Sequence, residues 1–355
     1  MNLLKELMVD SHSGDYTGIA SVISGFLKGN TDAEVSVQNV GPNKMNVIAK
    51  FGNPKLLINC HMDTVPPVGE WKYSPLTPTM SSGKIFGLGT ADTKGNIYAV
   101  LKAVEKSQPK DLWLLFSTDE ESGNGGSGVR KFLQAGMAKG IKAAIVLEPT
   151  SLAFVGKHKG YYAFKITVTA KPMHSSLQVT VSCGIGNTSD NSAAIGNAKN
   201  GSENAVAKAA RIITKLDEAG FNIGAISGGG MGNVVASKCE FKTSLRTYNG
   251  LDAAKKMLAE LIGNDGNVAF EAGFCGIPLD GCCDVAKFPQ KIAELTSQSP
   301  AEAGFWTEAA LFQDAGIPSL VFGAGNIQQA HSPDEFVEME QLEKAQMTFQ
   351  KIIGG

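Results

Sequence analysis

Short, wholly apolar runs alternate with longer amphipathic stretches along the first part of the chain. Leu3–Met8 and Tyr16–Leu27 carry helical spacing, and Val35–Val40 and Met45–Phe51 read as strands. Lys55–Asn59 (KLLIN) is a compact apolar run that ends at Cys60-His61. Lys94–Glu105 predicts a helix through Ile97, Val100, Leu101 and Val104. It is followed by a strand at Leu112–Phe116 (LWLLF), a helix at Gly128–Ala135 and a strand at Ala143–Leu147 (AAIVL). Ser319–Phe322 (SLVF) repeats the strand pattern, and Met339–Ile353 has the period of a closing helix. Continuous apolar strands separated by helices predict an α/β domain with a mostly parallel sheet covered on both faces.

The middle of the chain has another rhythm. Ala163–Ala170 (AFKITVTA) alternates polar and apolar residues, as a half-exposed antiparallel strand does. Helices at Ala205–Ala219 and Ala253–Ile262 flank strands at Phe221–Ile226 and Cys239–Arg246. This β-α-β-β-α order predicts a small α+β domain, residues 160–274, inserted into a larger domain made of 1–159 and 275–355. Leu177–Asn200 is rich in Gly, Asn, Ser and Ala, and reads as a functional flap or a disordered insertion.

Composition narrows the classes. At 355 residues with 43% hydrophobic and 19% charged residues, the chain has material for a large core and is not a disordered protein. Lys+Arg at 32 against Asp+Glu at 34 leaves no basic excess to neutralise a phosphate backbone, so nucleic acid is not an expected partner. The opening MNLLKELMVDSHSGD interrupts its apolar run with Lys5, Glu6 and Asp10, and so reads as neither a secretory signal nor a membrane span. Six cysteines without a CxxC pair suit free thiols in the cytoplasm, and Cys282-Cys283 has no second pair or His beside it. A soluble cytoplasmic protein is expected.

The chemistry lies in the polar residues just beyond each apolar strand. LLIN leads, after Cys60, to His61-Met62-Asp63; LWLLFST leads to Asp119-Glu120-Glu121; AAIVL leads to Glu148; SLVFGAGNIQQA leads to His331. Asp92 stands just before the helix that opens at Lys94. In a parallel sheet the carboxyl ends of the strands share one edge, so residues distant in sequence converge there. Taken singly, a strand-end carboxylate is usually a turn or a helix cap; five such positions are harder to dismiss. Two His and three carboxylates (His61, Asp92, Glu121, Glu148 and His331) match the donor preferences of zinc and related divalent ions, enough for two metals sharing a bridging carboxylate. The spacing His61-x-Asp63 allows a carboxylate to accept the second ring N–H and fix the tautomer. Of the adjacent Glu120 and Glu121, one can bind metal while the other takes a proton from water. No GxxxxGK[ST] phosphate loop is present in Gly87–Gly95.

The segments CHMDTVPP, GLGTADTKG, STDEESG, EPTS, KPMHSS and AHSPDEF, in that order, resemble the motif set of one family of dinuclear zinc hydrolases. This is the aminoacylase and acetylornithine deacetylase family, which also includes succinyl-diaminopimelate desuccinylase and several di- and tripeptidases. The resemblance runs through nearly the whole chain. Glu148-Pro-Thr-Ser-Leu, His158-Lys-Gly160, the run Gly228–Asn233 and Phe305-Trp-Thr-Glu-Ala309 look like acetylornithine and acetylcitrulline deacetylases, FWTEA more like the latter.

The resemblance implies a zinc-hydrolase catalytic domain with an inserted lid and dimerisation domain, holding two divalent ions, zinc with cobalt as an alternative. His61, Asp92 and Glu148 are expected to hold one ion, and Asp92, Glu121 and His331 the other. Asp63 is expected to clamp His61, and Glu120 to act as general base and then acid. His174 is expected to reach a neighbouring subunit's site and stabilise the oxyanion, and Asn233 and Arg246 to receive the substrate carboxylate. Glu308 is the carboxylate a substrate amine would want.

The implied activity is hydrolysis of the N-acetyl amide of N2-acetyl-L-ornithine in arginine biosynthesis, by a homodimer paired through the lid. N-acetyl-L-citrulline and di- or tripeptides are the alternative small-molecule substrates, and a non-catalytic binding protein on the same scaffold is the remaining rival. Three departures from the family pattern stand out: the long polar segment between His174-Ser-Ser176 and Gly201, where the family has a short connection, Met173 before His174, and Thr93 after Asp92.

Overall fold

A computed structural model describes residues 2–12, 14–121, 127–175, 203–280, 288, 292, 294 and 301–354. The Leu177–Asn200 stretch, Cys183 and the Cys282-Cys283 pair lie outside the described residues. The chain divides into two compact units, Met1–Gly160 with Gly276–Gly355, and Tyr161–Cys275.

The first unit opens with helices α1 (Asn2–Leu7) and α2 (Thr17–Asn30), then strands β1 (Glu34–Gly41), β2 (Lys44–Phe51) and β3 (Leu56–His61). Short strands β4 (Thr79–Ser81) and β5 (Lys84–Phe86) precede α3 (Lys94–Ser107). Next come β6 (Leu112–Ser117), α4 (Ser127–Gln134), β7 (Ala143–Val146) and β8 (Val155–His158). Every residue of β3 and β7 is buried, as the unbroken apolar runs require of strands covered on both faces. The helical period in α3 puts Ile97, Val100, Leu101 and Val104 into the core; each such side chain contributes about 1.5–3 kcal/mol by leaving water.

The second unit has β9 (Gly160–Thr169), whose strict alternation of buried and open positions reproduces its alternating sequence. It continues with α5 (Ala205–Glu218), β10 (Asn222–Gly228), β11 (Lys238–Thr247), α6 (Gly250–Ile262) and β12 (Val268–Gly276). The strands form one sheet in the order β10-β11-β9-β12. Asn204 starts α5, its side chain accepting from the N–H groups of Val206 (2.9 Å) and Ala207 (3.2 Å). Ile166, Val168, Ala209, Leu216, Phe241 and Leu258 lie in a core of their own.

The chain then returns to the first unit with β13 (Leu279–Asp280), β14 (Ala301–Ala303), the helix Ala309–Asp314, β15 (Ser319–Val321), β16 (Phe336–Glu338) and the closing helix Met339–Ile353. The large sheet has the order β1-β2-β6-β3-β7-β15-β8-β13, with β14 on β8. Its centre is parallel, β3 pairing with β6 and β7 and β7 with β15, while β1, β2, β8 and β13 add antiparallel pairings at the margins. The parallel centre brings the carboxyl ends of β3, β6 and β7 to one edge, with His61 in register with Ser117. Among the described residues no helix is long and apolar enough to cross a membrane.

Candidate metal centre

The edge formed by β3, β6 and β7 carries the site. His61 is the last residue of β3 and is 2% exposed. Its Nε2 lies 3.0 Å from Asp92 Oδ1 and 3.9 Å from Glu148 Oε1. Its Nδ1 is 2.9 Å from the main-chain carbonyl of Asp63. A carbonyl only accepts, so Nδ1 carries a proton toward it, and Nε2 is the nitrogen that faces the two carboxylates. On the other side of Asp92, His331 Nε2 lies 3.5 Å from Oδ2 and 2.7 Å from Glu121 Oε1. Asp92 thus has one oxygen toward each histidine. It precedes α3, and the Asp92–Thr93 peptide is cis.

Two sets of donors, His61 with Asp92 and Glu148, and Asp92 with Glu121 and His331, each lie within 4.8 Å of one another. A third set of the same tightness joins His61, Glu120 and Glu121. The arrangement fits divalent cations on its own chemistry. Glu148 Oε1 is buried without a hydrogen-bond partner, and imidazole nitrogens and carboxylate oxygens, the donors such ions prefer, converge between the side chains. Without a cation the charges strain one another. Burial, then the Asp92 charge, holds the Glu148 carboxyl well above the ordinary range; burial, then the Glu121 charge, does the same to Glu120. Burial disfavours the charged His61 ring, yet the Asp92 hydrogen bond and the surrounding carboxylates raise it well above its usual value. The Glu121 hydrogen bond lifts His331 to about 9.

Asp63 corrects one expectation. Its carboxylate does not take the His61 ring N–H, from which it stands 3.8 Å away; its own carbonyl does that. The carboxylate instead accepts the main-chain N–H groups of Glu120 (3.3 Å) and Glu121 (2.9 Å), and so fixes the turn that presents both side chains. Glu308 is corrected as well. It is fully buried, and its Oε2 accepts from Asn59 Nδ2 and Ser117 Oγ, both at 2.7 Å. It offers no surface to a substrate amine, and burial raises its carboxyl. In the second unit, His174 is exposed and bridges to Val234, while the carbonyl of Asn233 accepts the N–H of Ser175. Arg246 is exposed, with its guanidinium carbon 4.8 Å from the centre of the Tyr161 ring.

Several supports were not among the expected site residues. Asp119, in left-handed conformation at φ 66°, is held by Lys44 Nζ at 2.7 and 2.8 Å and by the Tyr16 hydroxyl at 3.2 Å. This clamp sits directly before Glu120. His158 is fully buried; its Nδ1–H donates to the Lys159 carbonyl, so Nε2 accepts from Thr307 Oγ1 at 3.1 Å, fixing the residue before Glu308. Gly95 lets α3 close on the turn that carries Asp92: a Cβ there would lie 2.2 Å from the Thr90 carbonyl oxygen. We expect Gly95→Ala to cost about 1–3 kcal/mol in a urea titration, because backbone rather than a flexible side chain must move. An unchanged midpoint would show that the helix shifts freely.

Comparison with known proteins identifies the family. The model for Peptidase family M20/M25/M40 matches residues 57–354, and the chain belongs to that family. The acetylornithine deacetylase of Aliivibrio salmonicida is 31% identical over 86% of this chain and 82% of its own. The N-acetyl-L-citrulline deacetylase of Xanthomonas campestris is 30% identical over 91% of this chain and 87% of its own. Among solved structures, a tripeptidase from Staphylococcus aureus superposes with a TM-score of 0.76 at 20% identity, covering 99% of this chain and 95% of its own. The chain is a metal-dependent amidohydrolase.

Proposed function

We propose that the protein releases acetate from an N-acetyl α-amino acid, with N2-acetyl-L-ornithine as the substrate. The observation that carries the reading is the pair of donor sets meeting on Asp92, with Glu120 beside them. In this reading His61, Asp92 and Glu148 hold one divalent ion, and Asp92, Glu121 and His331 hold a second. The sulfur-free donor set suits zinc, with cobalt as a competent substitute. Bound there, such ions supply Lewis acidity that polarises an acyl carbonyl and acidifies water.

The protein's own residues do the rest. Glu120 takes the proton from the attacking water onto its carboxylate and passes it to the nitrogen of the departing amine. Asp63 holds Glu120 and Glu121 by their main-chain N–H groups, so the base keeps its direction as charge changes. On the family resemblance alone, we assign oxyanion stabilisation to His174, acting on a neighbouring subunit of a homodimer, and recognition of the substrate α-carboxylate to Asn233 and Arg246. A planar guanidinium suits that carboxylate because it can bind in a bidentate way.

N-acetyl-L-citrulline is a second reading, and the interior position of Glu308 favours it. A ureido group needs neutral partners, whereas the ammonium of ornithine needs an accessible carboxylate, which Glu308 is not. The test is initial-rate acetate release from both compounds by zinc- or cobalt-loaded protein, with dipeptides in parallel. We expect turnover of the acetyl amino acids, and the ratio of kcat/KM values assigns the substrate. Peptide turnover without acetate release sinks the deacetylase reading.

A further inference from the structure

We propose that Glu335 is a positioning residue that sets Asp92 between the two histidines, tying both donor sets to the turn that carries His331. The inference rests on the metal reading above and concerns a side chain that this reading does not use. Glu335 is 2% exposed and its carboxylate is spent on main chain alone. Oε1 accepts from the N–H of Ala91 at 2.8 Å and of Asp92 at 3.0 Å, and Oε2 accepts from the N–H of Gly89 at 2.9 Å. Its main-chain carbonyl adds two bonds to the same loop, from Gly87 N–H at 2.9 Å and Thr90 Oγ1 at 3.3 Å. Five bonds to the 87–92 loop therefore come from this one residue, while the Leu88 N–H goes to the Pro75 carbonyl at 2.8 Å.

That residue stands four positions after His331, in one short turn with left-handed residues at His331 (φ 56°) and Asp334 (φ 54°). Asp334 serves elsewhere, its Oδ1 accepting the N–H groups of Lys72 (2.9 Å) and Tyr73 (3.0 Å). The turn thus places His331 beside Asp92 and Glu121 while Glu335 holds the main chain of Asp92 from behind. A carboxylate can satisfy three N–H donors because both oxygens only accept. An amide cannot: whichever way it turns, its NH2 faces either Gly89 N–H or the pair at Ala91 and Asp92, leaving a buried donor unpaired. The peptide that directs the Asp92 side chain is then free to turn. Because Asp92 belongs to both donor sets, the consequence falls on both.

The test is a titration of metal-free protein with Co2+ alone, followed by calorimetry and by the visible absorption of the bound ion. Thermal unfolding without metal is measured in parallel. Wild type is expected to take two equivalents, and H331A to weaken one. E335Q is expected to weaken both by about 10–100-fold, the range for loss of a group that orients ligands, while D334A leaves both unchanged. E335D keeps the charge but is one methylene too short to span the loop, and it carries the same expectation should E335Q not fold. Wild-type affinities in E335Q with only a lowered melting temperature would make Glu335 merely structural and overturn the proposal, as would weakening of a single equivalent. A wild-type protein that takes no Co2+ would instead overturn the metal reading, and this inference with it.

Discussion

Glu120→Gln is expected to lower kcat by about 10²–10⁴-fold, the usual worth of a positioned general base, while the protein still folds and still takes two divalent ions. The geometry makes this the most informative single substitution. Glu120 and Glu121 follow one another on a turn fixed from two sides. Asp63 accepts both of their N–H groups, and Lys44 with Tyr16 holds Asp119 immediately before them. The amide of Gln is the same size as the carboxylate and leaves those main-chain bonds intact, so what is lost is the capacity to accept and return a proton. Without metal, burial and the neighbouring Glu121 charge raise the Glu120 carboxyl.

The measurement is kcat with metal stoichiometry on the same sample. Full activity in the variant would remove Glu120 from proton transfer. Loss of one equivalent of metal would assign it instead to the third donor set, with His61 and Glu121. A lowered kcat at unchanged KM and stoichiometry is the signature of a group that acts only on the reacting atoms.

Much of the architecture is legible in the sequence because the apolar patterns are strong. KLLIN, LWLLF and AAIVL are unbroken runs, and each forms a central strand. Their shared direction then makes strand-end residues neighbours, which is how sequence order alone can bring His61, Glu121 and Glu148 together. The illegible elements have a common physical cause. The strands β4, β5 and β16 have three residues each, too few to show a period. β12 is only partly covered: Val268 and Phe270 pack against the second core, but of its nine residues only Gly276 is buried, so VAFEAGFCG carries a weak strand pattern.

The site's supports are bonds from side chains to distant main chain, such as Glu335 to Gly89, and no spacing rule announces them. Glu308 shows the same limit from the other side. A glutamate before a short helix reads as an accessible charge, and only the convergence of Asn59 and Ser117 on its Oε2 reveals an interior carboxyl. For Asp63 the spacing points to the right residue and the wrong atom, because a carboxylate and its own carbonyl lie close enough to serve the same ring.

Loading the protein with metal is expected to stabilise it substantially, and to do so locally. A ligand that binds only the folded state adds RT ln(1 + [L]/Kd), about 4 kcal/mol at a thousandfold excess over Kd. At roughly 2–4 °C per kcal/mol for a unit of this size, that amounts to a rise in melting temperature on the order of 10 °C. The structure says where this stabilisation comes from. Asp92, Glu121 and Glu148, with Asp63 and Glu120 beside them, crowd negative charge at one edge of the sheet, and Glu148 Oε1 has no hydrogen-bond partner there. Cations relieve that repulsion and supply the missing partner, whereas their removal restores it.

The donors come from the ends of β3, β6 and β7, from the turn before α3 and from the turn that carries His331, all in the first unit, while the second unit has a separate core. Hydrogen exchange with and without zinc is therefore expected to show added protection in peptides covering 56–63, 87–96, 112–121, 143–150 and 326–336, and none in 205–218 or 250–262. Activity is expected to vanish with a chelator and return with zinc or cobalt. Protection spread evenly over both units would mean that metal acts on the chain as a whole rather than through this edge. A melting temperature indifferent to metal would mean that the convergent carboxylates are not its site.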